Sequence, residues 1–295
     1  MQALSPKIRP LGKSALLVSP IAWGMWRFAG QPPAHAQALI EAALAVGITL
    51  FDTADIYGVD GPGFGSAEAL LGEVLRAAPQ LRARMVLATK GGIVPGVPYD
   101  SSADYLERAL DASLERLGLD QVDLWQIHRP DLLAHPAEVA AALERMVASG
   151  KARTIGVSNF TPAQTAALQA HLPFALASTQ PEFSALHTQP LWNGLIDQAM
   201  ERDLAVLAWS PLGGGRIGRG GDAVSALLDA KAATSGVSRT AAAYAWIMAH
   251  PARPIPIVGS QSPERIAEAA NAFAVPWTRA EWYAVLEAST GDKLP

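Results

Sequence analysis

The chain has 295 residues, half of them hydrophobic, and a formal net charge of −4. That length supports a sizeable core, and the weakly acidic balance excludes the positive surface that nucleic acid or an anionic membrane would attract. Cysteine is absent, which removes disulfides, thiolate catalysis and zinc–cysteine sites and fits a cytoplasmic protein. The start, MQALSPKIRP, carries no apolar stretch of signal-peptide type, and no uninterrupted apolar run reaches membrane-spanning length. Residues 6–15 (PKIRPLGKSA) read as a short hairpin. Apolar or β-branched runs then recur at 16–24, 48–55, 84–90, 122–128, 153–159, 175–182, 205–211 and 255–259. Between them lie amphipathic stretches of helical period, such as 102–118 and 137–150. Helix starts are signalled at Ser66, with Glu68 in the first turn, and at Thr161 and Ser262, each followed by proline. The glycine-rich stretch 211–222 follows the seventh strand, and residues 278–289 read as a C-terminal helix.

Eight strands alternating with eight helices and no dividing linker predict an α/β fold. The expected form is one (β/α)8 TIM barrel domain over residues 1–295, with the hairpin closing its bottom and the C-terminal helix added. A doubly wound sheet also alternates, but WGMWRFAG after the first strand is a poor match to its glycine-rich turn.

In such a barrel the carboxyl ends of the strands meet at one mouth. The residues gathered there are Asp52, Asp55 and Tyr57 after the second strand, and Lys90 after the third. His128 follows the fourth, Ser158 and Asn159 the fifth, and Gln180 the sixth. Taken singly, each is an ordinary strand end or turn residue. An acid, a phenol, an ammonium and an imidazole from three adjacent strands form a set suited to proton transfer. The six histidines show no H-x-x-x-H or similar ligand spacing, so no metal is expected.

FDTADIYG, ATKGG, DLWQIHRPD, GKARTIGVSNF, TQPEFSAL and LAWSPLGGG resemble the successive motifs of the aldo-keto reductases, in order and over essentially the whole chain. HRPD, SNFTPAQ and WSPLGGGRI further resemble a bacterial oxidoreductase branch of that family. The resemblance implies a (β/α)8 barrel that binds NADP(H) without a Rossmann domain and reduces a small carbonyl substrate. It implies Asp52, Tyr57, Lys90 and His128 as the catalytic four. A carbonyl that receives hydride also needs a proton, and tyrosine, with an ordinary pKa near ~10, is a weak acid. Lys90 would ease proton release from Tyr57, Asp52 would hold Lys90 charged, and His128 would donate to the carbonyl oxygen. Asp55 is read as structural.

The resemblance also implies a cofactor set. Gly24, Met25 and Trp26 follow the first strand, and Asp52 belongs to both sets. Ser158, Asn159 and Gln180 would bind the nicotinamide carboxamide, and Trp209 would stack on its ring. Ser210, Pro211, Leu212, Gly213 and Gly214 would lie against the pyrophosphate, where glycine permits close backbone approach. Gly259, Ser260, Gln261, Arg265 and Glu268 would hold the adenosine end, at a helix start suited to phosphate. Gly259 stands where many relatives have lysine and Ala269 where many have asparagine. Arg265 is then the one matched cation, which implies NADP(H) first and NAD(H) second. Arg216 and Arg219 are read as solvated. Trp26, Tyr57, His128 and Arg129 are the substrate-side residues; Trp125, Phe183 and the tail STGDKLP are further candidates for the pocket wall. That aromatic lining suggests an apolar or aromatic carbonyl compound, and a monomer is the default. Two other readings use the same residues: a Schiff-base aldolase working through Lys90, and a nicotinamide-binding redox sensor with little turnover.

Overall fold

The computed structural model describes residues 4–294. The first three residues and Pro295, part of the tail assigned above to the pocket wall, lie outside it. The antiparallel hairpin pairs β1 (Arg9–Pro10) with β2 (Leu17–Val18). The barrel strands begin with β3 (Ala22–Gly24), β4 (Leu50–Asp52) and β5 (Val86–Gly91). A second hairpin, β6 (Ile93–Val94) and β7 (Val97–Tyr99), interrupts the series. It continues with β8 (Val122–Ile127), β9 (Ala152–Ser158), β10 (Ser178–Gln180), β11 (Ala205–Ala208) and β12 (Ile255–Val258). These eight strands close a barrel in which every neighbouring pair is parallel, and β12 returns to β3. No helix among the described residues is long and apolar enough to cross a membrane.

Two details depart from the sequence reading. The run 16–24 is not one strand: β2 belongs to the hairpin and β3 starts the barrel. Pro20 cannot donate to a ladder, and the Ser19 hydroxyl accepts from the Thr49 amide at 2.8 Å and donates to the Ile21 carbonyl at 2.6 Å, so the chain bends there. The β6–β7 hairpin was not anticipated, although Pro95-Gly96 between two short apolar pairs is a turn signal.

The helices α1 (Pro33–Ala45), α2 (Ser66–Ala77), α3 (Ala103–Leu117), α4 (Pro136–Ala148) and α5 (Pro162–Gln169) cover one part of the barrel. The rest is covered by α6 (Leu195–Arg202), α7 (Arg216–Arg219), α8 (Ala223–Ser235), α9 (Arg239–Met248), α10 (Pro263–Glu268) and α11 (Arg279–Thr290). Thr161 and Ser262 cap α5 and α10 as expected, Thr161 in a capping box with Gln164. Ser66 instead lies inside α2, whose N-cap is Gly65, and its hydroxyl turns back to the Gly63 carbonyl at 2.7 Å.

Two apolar layers result. The large one lies between strands and helices. A smaller one fills the barrel interior with Ala22, Leu50, Ala88, Leu124, Leu207 and Ile257, and the hairpin adds Leu11, Leu16 and Val18 beneath them. The turn that brings the hairpin in has a left-handed Gly12, φ +57°, whose Cβ, were there one, would lie 2.2 Å from the Ala177 carbonyl oxygen. Gly12→Ala is expected to destabilise the protein by at least about 1–2 kcal/mol, the left-handed penalty alone, in urea unfolding.

Candidate active site

Asp52 ends β4, and the chain then turns tightly against β5. The Thr53 amide donates to the Ala88 carbonyl (2.9 Å), the Asp55 amide to the Lys90 carbonyl (3.1 Å) and the Tyr57 amide to the Ala54 carbonyl (3.2 Å). Asp52 pairs in register with Ala88, so Lys90, two residues on, faces the same interior one step nearer the mouth. This register brings the Lys90 ammonium, fully buried, onto three acceptors: Asp52 Oδ2 at 2.7 Å, the Thr53 carbonyl at 2.8 Å and the Tyr57 hydroxyl at 3.0 Å. An ammonium has three donors, and each has a partner. The second Asp52 oxygen accepts from the Gln180 amide at 3.0 Å and from that of Gln126 at 3.4 Å. The Tyr57 ring stands edge-on to Trp26 and His128, with centroids 5.1 and 5.9 Å away.

The charges follow from this packing. Burial alone would favour loss of the Lys90 proton, but Asp52 and Tyr57 outweigh it and hold the ammonium above its ordinary value. Burial pushes the Tyr57 phenol up, with Lys90 the largest opposing influence and Asp52 acting against Lys90. The sequence reading expected Lys90 to make the phenol a stronger acid; its charge acts in that direction, and burial exceeds it. Burial, then Lys90 and Arg129, hold His128 well below the usual imidazole range, so it is neutral at pH 7. Its Nδ1 is buried with no hydrogen-bond partner among the described residues.

The residues assigned to the cofactor fall into two groups. Ser158, Asn159 and Gln180 form one knot at the ends of β9 and β10: Ser158 Oγ donates to the Gln180 carbonyl (2.9 Å), and the Asn159 side-chain amide donates to Ser158 Oγ (2.9 Å) and the His128 carbonyl (3.1 Å). Trp209 donates its indole N–H to Asn159 Oδ1 at 2.9 Å, and the Arg129 guanidinium lies 5.8 Å from the indole centroid. The second group runs along the β11 and β12 exits. Ser210, Gly213, Gly214 and Gly215 all have left-handed φ, and a Cβ on Gly214 would meet nothing within 4 Å. Both amide atoms of Gln261 are buried without a partner among the described residues. Arg265 and Gly259 are exposed, while Ser260 and Glu268 are half-buried.

Several sequence assignments need correction. Trp125 and Phe183 are fully buried in the layer between strands and helices, and they form no part of the pocket wall. Gln126 faces the barrel interior, so its neighbour Trp125 must point to the helices. Met25 is likewise a core side chain. The tail folds back on α11, where the Leu294 amide donates to Glu287 Oε1 at 3.0 Å. Gln180 donates one side-chain N–H to Asp52, and this leaves its cofactor assignment standing as an expectation.

One cluster was missed. Asp55 is buried, and both its carboxyl oxygens lack partners among the described residues. Beside it, fully buried Glu68 accepts from the Thr89 hydroxyl and pairs with Arg116 at 2.7 Å. In sequence Glu68 reads only as a first-turn acid, and nothing local links it to residues 21 and 48 positions away. Burial and then Glu68 push the Asp55 carboxyl well above its ordinary value. The folded protein therefore holds a proton that the unfolded chain releases near pH ~4. The contribution of Asp55 to stability is full below that pH and declines as pH rises toward its folded pKa, at about 1.4 kcal/mol per unit. Asp55→Asn should abolish this component, so the wild type should lose stability relative to the variant between pH 5 and pH 7 in urea unfolding.

A family model described as "Aldo/keto reductase family" matches residues 20–289. The chain is 59% identical to a 6-dehydroglucose reductase of Novosphingobium aromaticivorans, over 99% of this chain and 98% of the relative. It is 41% identical to a 6-dehydroglucose reductase of Agrobacterium fabrum, over 95% and 97%. A solved thermostable aldo-keto reductase, in complex with the inhibitor epalrestat, shares the fold with a TM-score of 0.84 at 23% identity, over 95% of this chain and 99% of that one. The chain belongs to the aldo/keto reductase family.

Proposed function

We propose that the protein reduces the aldehyde of a sugar oxidised at its terminal carbon, 6-dehydroglucose or a close analogue, to the primary alcohol, with NADPH as reductant. The substrate rests on full-length identity to two reductases of that name. The catalytic assignment rests on one observation, the buried Lys90 ammonium whose three donors end on Asp52, Thr53 and Tyr57. With Trp125 and Phe183 in the core, the aromatic lining that favoured an apolar carbonyl is reduced, and a polar substrate is accommodated.

The residues present fit a nicotinamide dinucleotide. The unpartnered Gln261 amide, which costs about 1–3 kcal/mol if left unmade, and the left-handed stretch Gly213–Gly215, open at Gly214, both favour a polar ligand lying along the β11 and β12 exits. Ser158 and Asn159 would hold its carboxamide and Trp209 its ring, with the Arg129 guanidinium against the same indole. When bound, the reduced cofactor supplies the hydride. Tyr57, kept protonated by burial, gives its proton to the carbonyl oxygen, and the adjacent ammonium stabilises the phenolate left behind. Neutral His128 donates to the same oxygen while charge develops on it. Lys90 is not suited to a Schiff base, which needs a neutral amine of depressed pKa; its proton is held by Asp52 and Tyr57.

Tyr57→Phe removes the acid and keeps the ring packing against Trp26 and His128. Its kcat on 6-dehydroglucose should fall by at least about 100-fold, with the NADPH dissociation constant unchanged. Near-normal turnover would remove Tyr57 from the role, and cofactor binding without turnover in the wild type would favour the sensor. The kcat/KM for 6-dehydroglucose should exceed that for benzaldehyde.

Cofactor choice rests on Arg265. A charge-assisted hydrogen bond contributes roughly 1.5–3 kcal/mol, and Arg265 is exposed and screened, so NADPH should bind about tenfold more tightly than NADH. Arg265→Ala should weaken NADPH and leave NADH nearly untouched, as read by quenching of tryptophan fluorescence. At Gly259 the backbone is not left-handed and a Cβ would meet nothing within 4 Å, so Gly259→Lys should widen the ratio. Equal wild-type affinities would relocate the 2′-phosphate site.

A further inference from the structure

The end of the barrel away from the mouth carries a second cavity, of about 770 Å³. Its walls come from the segment leading into β1, the α9–β12 connection and one side of α11. Arg253 immediately precedes β12 and Arg9 lies in the bottom hairpin, so the barrel separates this cavity from the Lys90–Tyr57 centre. The volume lies within the range of roughly 300–1,000 Å³ typical of small-molecule sites.

Its lining is chemically one-sided. Lys7, Arg9, Arg253 and Arg279 face it, and no aspartate or glutamate does. None of the four makes an ion pair among the described residues, whereas Arg82, Arg116, Arg145, Arg153 and Arg239 each do. Arg9 donates one N–H to the Arg253 carbonyl, while its Nε is buried without a partner. Burial and the neighbouring Arg253 charge push the Arg9 guanidinium down to about 10. Arg253 has φ +46°, a left-handed conformation that a side chain adopts at a cost. Two like charges are thus held together with no counter-ion among the described residues. The fifth basic group, His250, is kept neutral by burial against the pull of Asp197 on α6, and its Nδ1 accepts the Ala252 amide at 3.1 Å. The remaining wall is apolar and aromatic, with Trp192 and Tyr283 exposed at the rim and Trp282 beneath.

We propose that this cavity is a binding site for a small amphiphilic organic anion, an aromatic body with a carboxylate, sulfonate or phosphate head. The head would neutralise the Arg9–Arg253 pair and occupy the orphaned Nε, while the body would lie on the tryptophan and tyrosine faces, where both dispersion and cation–π contact are offered. The site is independent of the reductase centre, and ligands of the two should not compete.

The test uses 8-anilinonaphthalene-1-sulfonate as probe on the folded full chain saturated with NADPH, followed by fluorescence and by calorimetric stoichiometry. One equivalent should bind. Arg253→Gly, which removes the cation while relieving the left-handed backbone, should weaken binding about tenfold or more. Arg9→Gln should do the same, and both variants should keep wild-type kcat. Uncharged N-phenyl-1-naphthylamine should bind more weakly and ignore both substitutions. Displacement of the sulfonate by inorganic phosphate alone would assign recognition to the head, and displacement by benzoate alone would assign it to head and ring together; either supports the site. Unchanged sulfonate affinity in Arg253→Gly, equal binding of the uncharged probe, or exclusion of the sulfonate by NADPH would overturn it.

Discussion

A fully buried ammonium is the constraint around which the mouth of this barrel is organised. Leaving such a charge unsatisfied in a low-dielectric interior is prohibitive, and Lys90 has no solvent to turn to. It must find three acceptors at converging angles, and it finds them in a carboxylate, a main-chain carbonyl and a phenol drawn from one turn. The carboxylate then carries its own requirement, met by side-chain amides from β8 and β10. Satisfying one cation thus fixes the relative register of four barrel strands. Removing one member of such a buried pair typically costs several kcal/mol, so the arrangement supports the fold as well as the chemistry.

The same constraint sets the direction of proton flow. Burial keeps the phenol protonated, so the acid is loaded in the resting protein. The ammonium at 3.0 Å does little for a neutral phenol and much for a phenolate. In the proposed reaction its stabilisation would therefore be realised mainly as the proton leaves, which is when it would lower a barrier. His128 is neutral for the same reason: a second cation beside Lys90 would be repelled, and an uncharged imidazole keeps one N–H to donate; in the proposed reaction that donor would meet the carbonyl oxygen.

Much of this was legible in the sequence, for a physical reason. Parallel strands buried on both faces read as short apolar runs, and polar residues that end such runs stand out. Asp52, Lys90 and His128 do so. Tyr57 stood out as the phenol in the turn after the second strand, beside an acid, an ammonium and an imidazole, and the family motif gave it its role. What was not legible depends on side-chain phase and on long-range register. Trp125 needed the outward phase of its strand, which the inward Gln126 supplies, and Phe183 needed the path of the chain after β10. Glu68 meets Thr89 and Arg116 only because α2, β5 and α3 pack together. The division of the run 16–24 was written in Ser19-Pro20, and the β6–β7 hairpin in Pro95-Gly96.

Asn159 shows how the proton side and the cofactor side are joined. It holds a left-handed backbone, φ +59°, which asparagine tolerates better than most residues. Such a conformation persists where its surroundings over-determine it, and here three side-chain hydrogen bonds do so. Its amide N–H groups reach the His128 carbonyl and Ser158 Oγ, and its oxygen receives the Trp209 indole. One small side chain therefore ties the end of β8, which carries the imidazole, to the exit of β11, where the glycine stretch begins. A glycine at this position would relieve the backbone and cut all three ties. The conformational cost at Asn159 is thus the means by which the turn carrying the His128 imidazole and the Trp209 indole are held in one frame.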